Sequence, residues 1–201
     1  MLVDPGSFTQ LPADLGRVDA VAITHGHYDH VSVDLVSTVL RDNPEAVVIA
    51  PPSIDLDETS DERVLRVKTG DVVRVGAVDI AIVGGVHALI HADVPQIENV
   101  GYLFVDDAIL HPGDEFIVPD EPVTTLCTPV SGPWQSLEDA VDYVRAVGPL
   151  VVVPIHEGML ARPQVYIDYL EKLKPKGSTV LVPVIGVPAA LPLPGHGAVE
   201  P

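Results

Sequence analysis

Short aliphatic runs, each ended by a polar cluster, organise this chain. Residues 18–24 (VDAVAIT) are mostly apolar and rich in β-branched side chains, the pattern of a buried strand. They run into His25-Gly26-His27-Tyr28-Asp29-His30. From 32 to 41 the period changes: Leu35, Val36, Val39 and Leu40 recur at helical spacing, Ser32 stands as an N-cap, and Asn43-Pro44 ends the helix. Residues 47–50 form a second strand, closed by Pro51-Pro52, and the acidic stretch 53–62 reads as a solvated loop or a short helix.

Three further strands are predicted over 64–68, 72–75 and 78–83, the last two joined as a hairpin at Gly76-Ala77. The third leads through Gly84-Gly85-Val86 to His87. Strands over 100–105 and 108–110 flank Asp106-Asp107 and precede His111-Pro112-Gly113-Asp114. A strand over 124–127 enters the loop 129–134. The helix over 136–147 has Ser136 and Asp139 placed as a capping pair and a stripe of Leu137, Ala140, Val141, Val144 and Val147. Residues 150–155 are a continuous apolar strand that delivers His156; a helix over 164–172 and a strand over 179–182 follow. Strands with interspersed helices, and polar clusters just past strands, predict an α/β layered architecture with its site at strand ends. The chain shows no internal repeat and no dividing linker. One domain over 1–186 and a Pro-rich tail over 187–201 are expected.

Composition narrows the function classes. A chain of 201 residues is long enough to bury one core, and 47% hydrophobic with 20% charged residues is far from a disordered composition. The aliphatic bias, with aromatics at 4%, suits buried strands covered by helices. Twenty-nine acidic residues against 11 basic ones give −18, a surface that repels phosphate backbones and anionic lipid. Neither nucleic acid nor a membrane is an expected partner. The lone Cys127 excludes an internal disulfide framework and a Cys-rich zinc module, and reads as a strand residue of the core. The first residues hold no basic region or apolar run. The longest uncharged stretch, 177–195, carries Pro183, Pro188, Pro192 and Pro194. A cytoplasmic protein is expected.

Four of the eight histidines, His25, His27, His87 and His156, fall at the carboxyl ends of predicted strands, with Asp29, His30 and Asp114 in the same loops. Imidazole nitrogen and carboxylate oxygen suit borderline divalent cations. His25 and His27, two apart in an extended turn, can chelate one ion. Asp29 and His30, where the chain turns into the helix, can face a second. His87, Asp114 and His156 would complete the shells, with Asp114 suited to bridge. A lone histidine after a strand is ordinarily a surface or core residue, which is the reading for His196 and His111, with a supporting or pocket-wall place as the alternative for His111. His91, four residues past His87, is either a supporting donor or the ligand in its place; the two glycines before His87, which let backbone approach a crowded centre, favour His87. Tyr28 and Trp134 are candidates for the pocket wall, with ordinary packing as the alternative.

The segment Thr24-His25-Gly26-His27-Tyr28-Asp29-His30 resembles the HxHxDH signature of the metallo-β-lactamase superfamily, and His87, Asp114 and His156 follow in its order. The phrases GGVHALIH, NVGYLF, ILHPGDE and VPIHEG look most like its ascorbate-phosphate lactonase-like branch. The resemblance covers nearly the whole chain. It implies an αββα sandwich and two divalent metal ions, zinc first, with manganese or iron as alternatives. His25, His27 and His87 would hold the first ion, Asp29, His30 and His156 the second, with Asp114 bridging. A metal-bridging hydroxide would attack a small ester, lactone or phosphodiester substrate, and Asp29 would orient or deprotonate the nucleophile as the catalytic side chain. The alternative is a non-catalytic divalent-metal-binding protein of the same fold. Family members usually open with a strand pair ahead of the segment that matches Leu2-Val3-Asp4-Pro5-Gly6. This chain starts at that segment, so the expectation is either a truncated or mis-assigned start, or a sandwich lacking that pair with a sheet edge that a partner, such as a homo-oligomer, would cover.

Overall fold

Successive side chains of a strand point to opposite faces, so a strand that is apolar throughout must be covered on both. The computed structural model describes residues 1–56, 61–106 and 108–191. One sheet holds four parallel strands in the order β1 (Leu2–Val3), β2 (Ala20–Ala22), β3 (Val47–Ala50) and β4 (Val64–Arg66). The other holds seven, in the order β11 (Thr179–Val180), β10 (Val151–Ile155), β9 (Thr125–Pro129), β8 (Ile109–His111), β7 (Glu98–Phe104), β6 (Val78–Val86) and β5 (Val72–Val75). Strands β5 to β8 pair antiparallel, and β8 to β11 parallel.

Alternation sorts the core into three layers. Ala20, Ala22 and Ile49 face Ile80, Ile82, Val100 and Tyr102 between the sheets. Val21, Val48 and Ala50 point outward, where α1 (Val33–Asp42) covers them with Val36, Val39 and Leu40. On the far side, Leu103, Leu110, Leu126 and Val152 meet Val141 and Val144 of α2 (Leu137–Val147) and Leu170 of α3 (Pro163–Leu173). The result is the αββα sandwich. Both of the first two helices start as their sequences predict: Ser32 Oγ accepts from the Leu35 amide, and Ser136 with Asp139 forms a reciprocal capping box.

The strand predicted over 18–24 narrows to three residues because its end serves both sheets. Ile23 still donates to the Ile49 carbonyl (2.9 Å), but the Thr24 amide turns to the Asp4 carboxylate (2.8 Å) and the Thr24 carbonyl accepts from Val100 (3.0 Å). β6 runs further than predicted, through both glycines to Val86. There Gly84 adopts φ +79, and the space a Cβ would take is filled by Glu115 and Ile117. The strand expected over 179–182 keeps two residues. Cys127 is half-buried in β9 rather than part of the core. Parts of the acidic stretch (57–60), the turn at Asp107, and residues 192–201 of the tail with His196 lie outside the described residues. Among the described residues no helix is long and apolar enough to cross a membrane.

Candidate metal centre

Every proposed donor leaves the fold within three residues of a strand end, or in the turn that follows β2. The 25–30 turn is held from outside: Ser7 donates to the Tyr28 carbonyl (2.8 Å) and Ser32 to the Pro5 carbonyl (2.9 Å). His87 follows β6 directly, and its neighbour Ala88 donates to the Asp114 carbonyl (2.9 Å). Asp114 is set by Asn99 of β7, a buried amide that accepts from the Asp114 N–H (3.0 Å) and donates to the Pro112 carbonyl (2.9 Å). His156 follows β10 with left-handed backbone (φ +62), and its carbonyl accepts from the Ser131 hydroxyl.

These loops converge. Donor atoms of His25, His27, His87 and Asp114 all lie within 4.8 Å of one another, and so do those of Asp29, His30 and His156. His25 Nε2 and His27 Nδ1 face each other at 3.0 Å. Asp114 stands between the groups: its Oδ2 is 3.4 Å from both His87 Nε2 and His156 Nε2, and its Oδ1 is 3.4 Å from His30 Nε2. Asp29 Oδ2 is 3.4 Å from His156 Nε2 and 3.9 Å from His30 Nε2.

On three of the histidines the outward ring nitrogen is engaged, which leaves the inward one aimed at the centre. His30 Nδ1 bonds Asp4 Oδ2 (2.8 Å), His25 Nδ1 lies 3.0 Å from the Thr24 hydroxyl, and His87 Nδ1 lies 2.6 Å from the Ala88 carbonyl. His30 Nε2, His87 Nε2, Asp114 Oδ1 and both ring nitrogens of His156 are buried without a hydrogen-bond partner. Each such orphan costs about 1–3 kcal/mol. A divalent cation satisfies nitrogen and oxygen donors of this kind, and a histidine held from behind by a carboxylate or carbonyl is the usual form of an imidazole ligand. The residues fit the metal.

Electrostatics differ among these side chains. Burial, then the nearby charge of His30, pushes His25 down to about 3, so it is a neutral donor near pH 7. Burial also lowers His27 and His111. For His30 burial is opposed and outweighed by the Asp4 hydrogen bond and by the charges of Asp4, Asp114 and Asp29, which raise it to about 9. Asp114 resists burial in the same manner: the His87 ring beside it and the charges of His30, His156 and His25 hold its carboxyl far below the usual range.

The supporting residues divide. Trp134 donates from Nε1 to Asp114 Oδ2 (3.0 Å) and meets the His87 ring edge-on. His111 is not among the converging donors; its Nδ1 accepts from Gly113 (3.3 Å) and its side chain lines the adjoining cavity. His91 is exposed, near Asp93, and joins neither group, so the structure brings in His87 and leaves His91 out. Tyr28 is exposed and packs on Phe8. Sequence reasoning missed Asp4, whose carboxylate takes Thr24 and His30 together. A signal existed: a carboxylate directly after the apolar pair Leu2-Val3, as His25 follows its own strand.

The chain matches the β-lactamase superfamily domain over residues 1–156. Protein Rv0786c of Mycobacterium tuberculosis is 39% identical over 165 residues, 80% of this chain and 77% of that one. A metal-dependent hydrolase of Methanocaldococcus jannaschii is 24% identical over 212 residues, 95% of this chain and 94% of its own length. A Parabacteroides distasonis protein carrying the name metal-dependent hydrolase shares the fold, with a TM-score of 0.72 at 22% identity over 90% of this chain and 82% of that chain. Likeness to Escherichia coli proteins carrying the name L-ascorbate-6-phosphate lactonase is partial: 32% identity over 74 residues, 34% of this chain and 21% of theirs.

Proposed function

The chain belongs to the metallo-β-lactamase superfamily of metal-dependent hydrolases, and from that premise we propose that it is a dinuclear hydrolase of a small ester, lactone or phosphodiester. The observation that carries this reading is Asp114, one carboxylate within 3.4 Å of His87 in one donor group and of His30 and His156 in the other. His25, His27 and His87 would hold one cation, Asp29, His30 and His156 the second, with Asp114 shared. Two divalent cations supply Lewis acidity and lower the pKa of water from 15.7 toward about 7.

The chain's own side chains do the rest. Asp29 is the donor carboxylate that also faces the open cavity, where it can orient an attacking water and take its proton. Trp134 fixes the Asp114 oxygen that faces both His87 and His156. Asp4 fixes the His30 ring and leaves its Nε2 free. Zinc is the first candidate for this donor set, with manganese and iron next.

Elemental analysis of protein purified without chelator should find two metal ions per chain. Hydrolysis on a panel of esters, lactones and phosphodiesters should follow metal loading and be lost in His27→Ala. A stoichiometry of one or none would overturn the dinuclear reading. Tight binding of two ions with no turnover across the panel would instead make the chain a metal-binding protein without catalysis.

A further inference from the structure

A cavity of about 290 Å³ adjoins the second donor group, with Asp29, His30 and His156 on one side of it. Its other walls include Val3, Phe8, Ile155 and Met159. Phe8 is 69% exposed and Met159 59%, and Tyr28, at 65%, extends the same surface by meeting Phe8 edge-on at 5.5 Å. Large apolar side chains left in water around a polar centre mark a ligand site. Gly158 also lines the cavity, and a Cβ added there would meet nothing within 4 Å.

The charges of the same wall restrict the ligand. Among the described residues no lysine or arginine lines this cavity. Asp4, Asp29 and Asp114 offset three of the four positive charges that two dications would bring, on a chain that carries −18 overall. A phosphate or carboxylate remote from the scissile bond would therefore face these carboxylates with no guanidinium or ammonium to offset them. Resting on the hydrolase reading above, we propose that the substrate is an uncharged ester or lactone whose apolar acyl portion sits between Phe8 and Met159, and that substrates with a separate anionic group are rejected.

The test compares p-nitrophenyl acetate, butyrate and hexanoate, the p-nitrophenyl monoester of succinate, bis(p-nitrophenyl) phosphate, and γ-lactones of rising chain length, on metal-loaded protein. Each methylene should raise kcat/KM about fourfold, and the butyrate should exceed the succinate monoester at least tenfold. Phe8→Ala should flatten the chain-length series; Gly158→Leu should reverse it by filling the cavity. Phe8 is mostly exposed and Gly158 faces open space, so both variants should fold. A second measurement needs no turnover: calorimetric titration of the metal-free protein should detect hexanamide binding, with hexanoate binding at least tenfold weaker. Preference for the succinate monoester or the phosphodiester, or equal binding of hexanoate and hexanamide, overturns this inference while leaving the hydrolase reading intact. Failure of every substrate with two metals bound overturns both.

Discussion

Asp4 Oδ2 lies 2.8 Å from His30 Nδ1, and both side chains are buried. Asp4 reaches this position with φ +48, outside the usual range for a non-glycine residue, and its other oxygen takes the Thr24 amide. One carboxylate thus ties β1, the end of β2 and the 25–30 turn together. Asparagine tolerates left-handed backbone, so Asp4→Asn should keep the fold and remove the charge behind His30. Metal affinity is expected to fall about 10- to 100-fold, read by competition with a chromogenic chelator. An unchanged affinity would make Asp4 purely structural.

The same pair shapes the pH response of metal-free protein. Folding raises His30 from 6.5 to about 9, so its contribution is complete below about 6.5 and is lost as pH climbs through 9. His25, lowered to about 3, and His27 and His111, lowered by burial, act in the opposite sense. On unfolding they gain protons below 6.5, so acid removes stability. Urea unfolding in chelator should show a maximum near pH 6.5. At about 1.4 kcal/mol per pKa unit, the alkaline limb from His30 amounts to roughly 3 kcal/mol, and His30→Gln should flatten it. Stability that keeps rising to pH 9 would contradict this account.

Gly113 sets Asp114. Its φ is +65, and a side chain there would press on Asn99 Oδ1 and Thr24, the groups that position Asp114 and His25. Gly113→Ala is expected to cost about 2–4 kcal/mol from strained backbone and overpacking. Bound metal should drop with it, measured by elemental analysis of the folded fraction. Full metal content at wild-type stability would show that the loop has room to give.

Tyr102 tests the sandwich apart from the site. Its hydroxyl lies between the sheets, 2.7 Å from the Ile23 carbonyl and 3.0 Å from that of Ile49, and donates to the nearer. Burial, the largest effect, raises its pKa well above 10, so it stays a donor throughout the working range. Tyr102→Phe takes this donor from the Ile23 carbonyl, while that of Ile49 keeps the Ile23 amide, at a cost of about 1–3 kcal/mol. Denaturant midpoints should fall while metal stoichiometry stays at the wild-type value; loss of metal would tie the interlayer to the site.

Much of this molecule was legible along the chain. The helices over 33–42 and 137–147 follow from apolar spacing with a serine cap, both of which are local. His25, His27 and His30 stand within six residues, so their shared chemistry needed no long-range contact to be seen. His91 and His87, four apart, could not be separated by spacing, because the difference is which of them faces the Asp114 loop 23 to 27 positions away. Asp4 escaped for the same reason: its partner His30 is 26 residues distant, and nothing in the intervening sequence declares the contact.

Periodicity and residue type established the layers, the caps and the kind of atom offered to a cation, since each depends on neighbours within a turn or a strand. The folded chain alone decided that seven histidine and aspartate side chains gather in two groups with Asp114 between them, that Trp134 and Asp4 hold Asp114 and His30 from behind, and that Phe8 and Met159 share with Asp29 a cavity that no lysine or arginine lines among the described residues. Those relationships join residues far apart in sequence, and they exist only once Asn99 and Thr24 bring the edges of two sheets together.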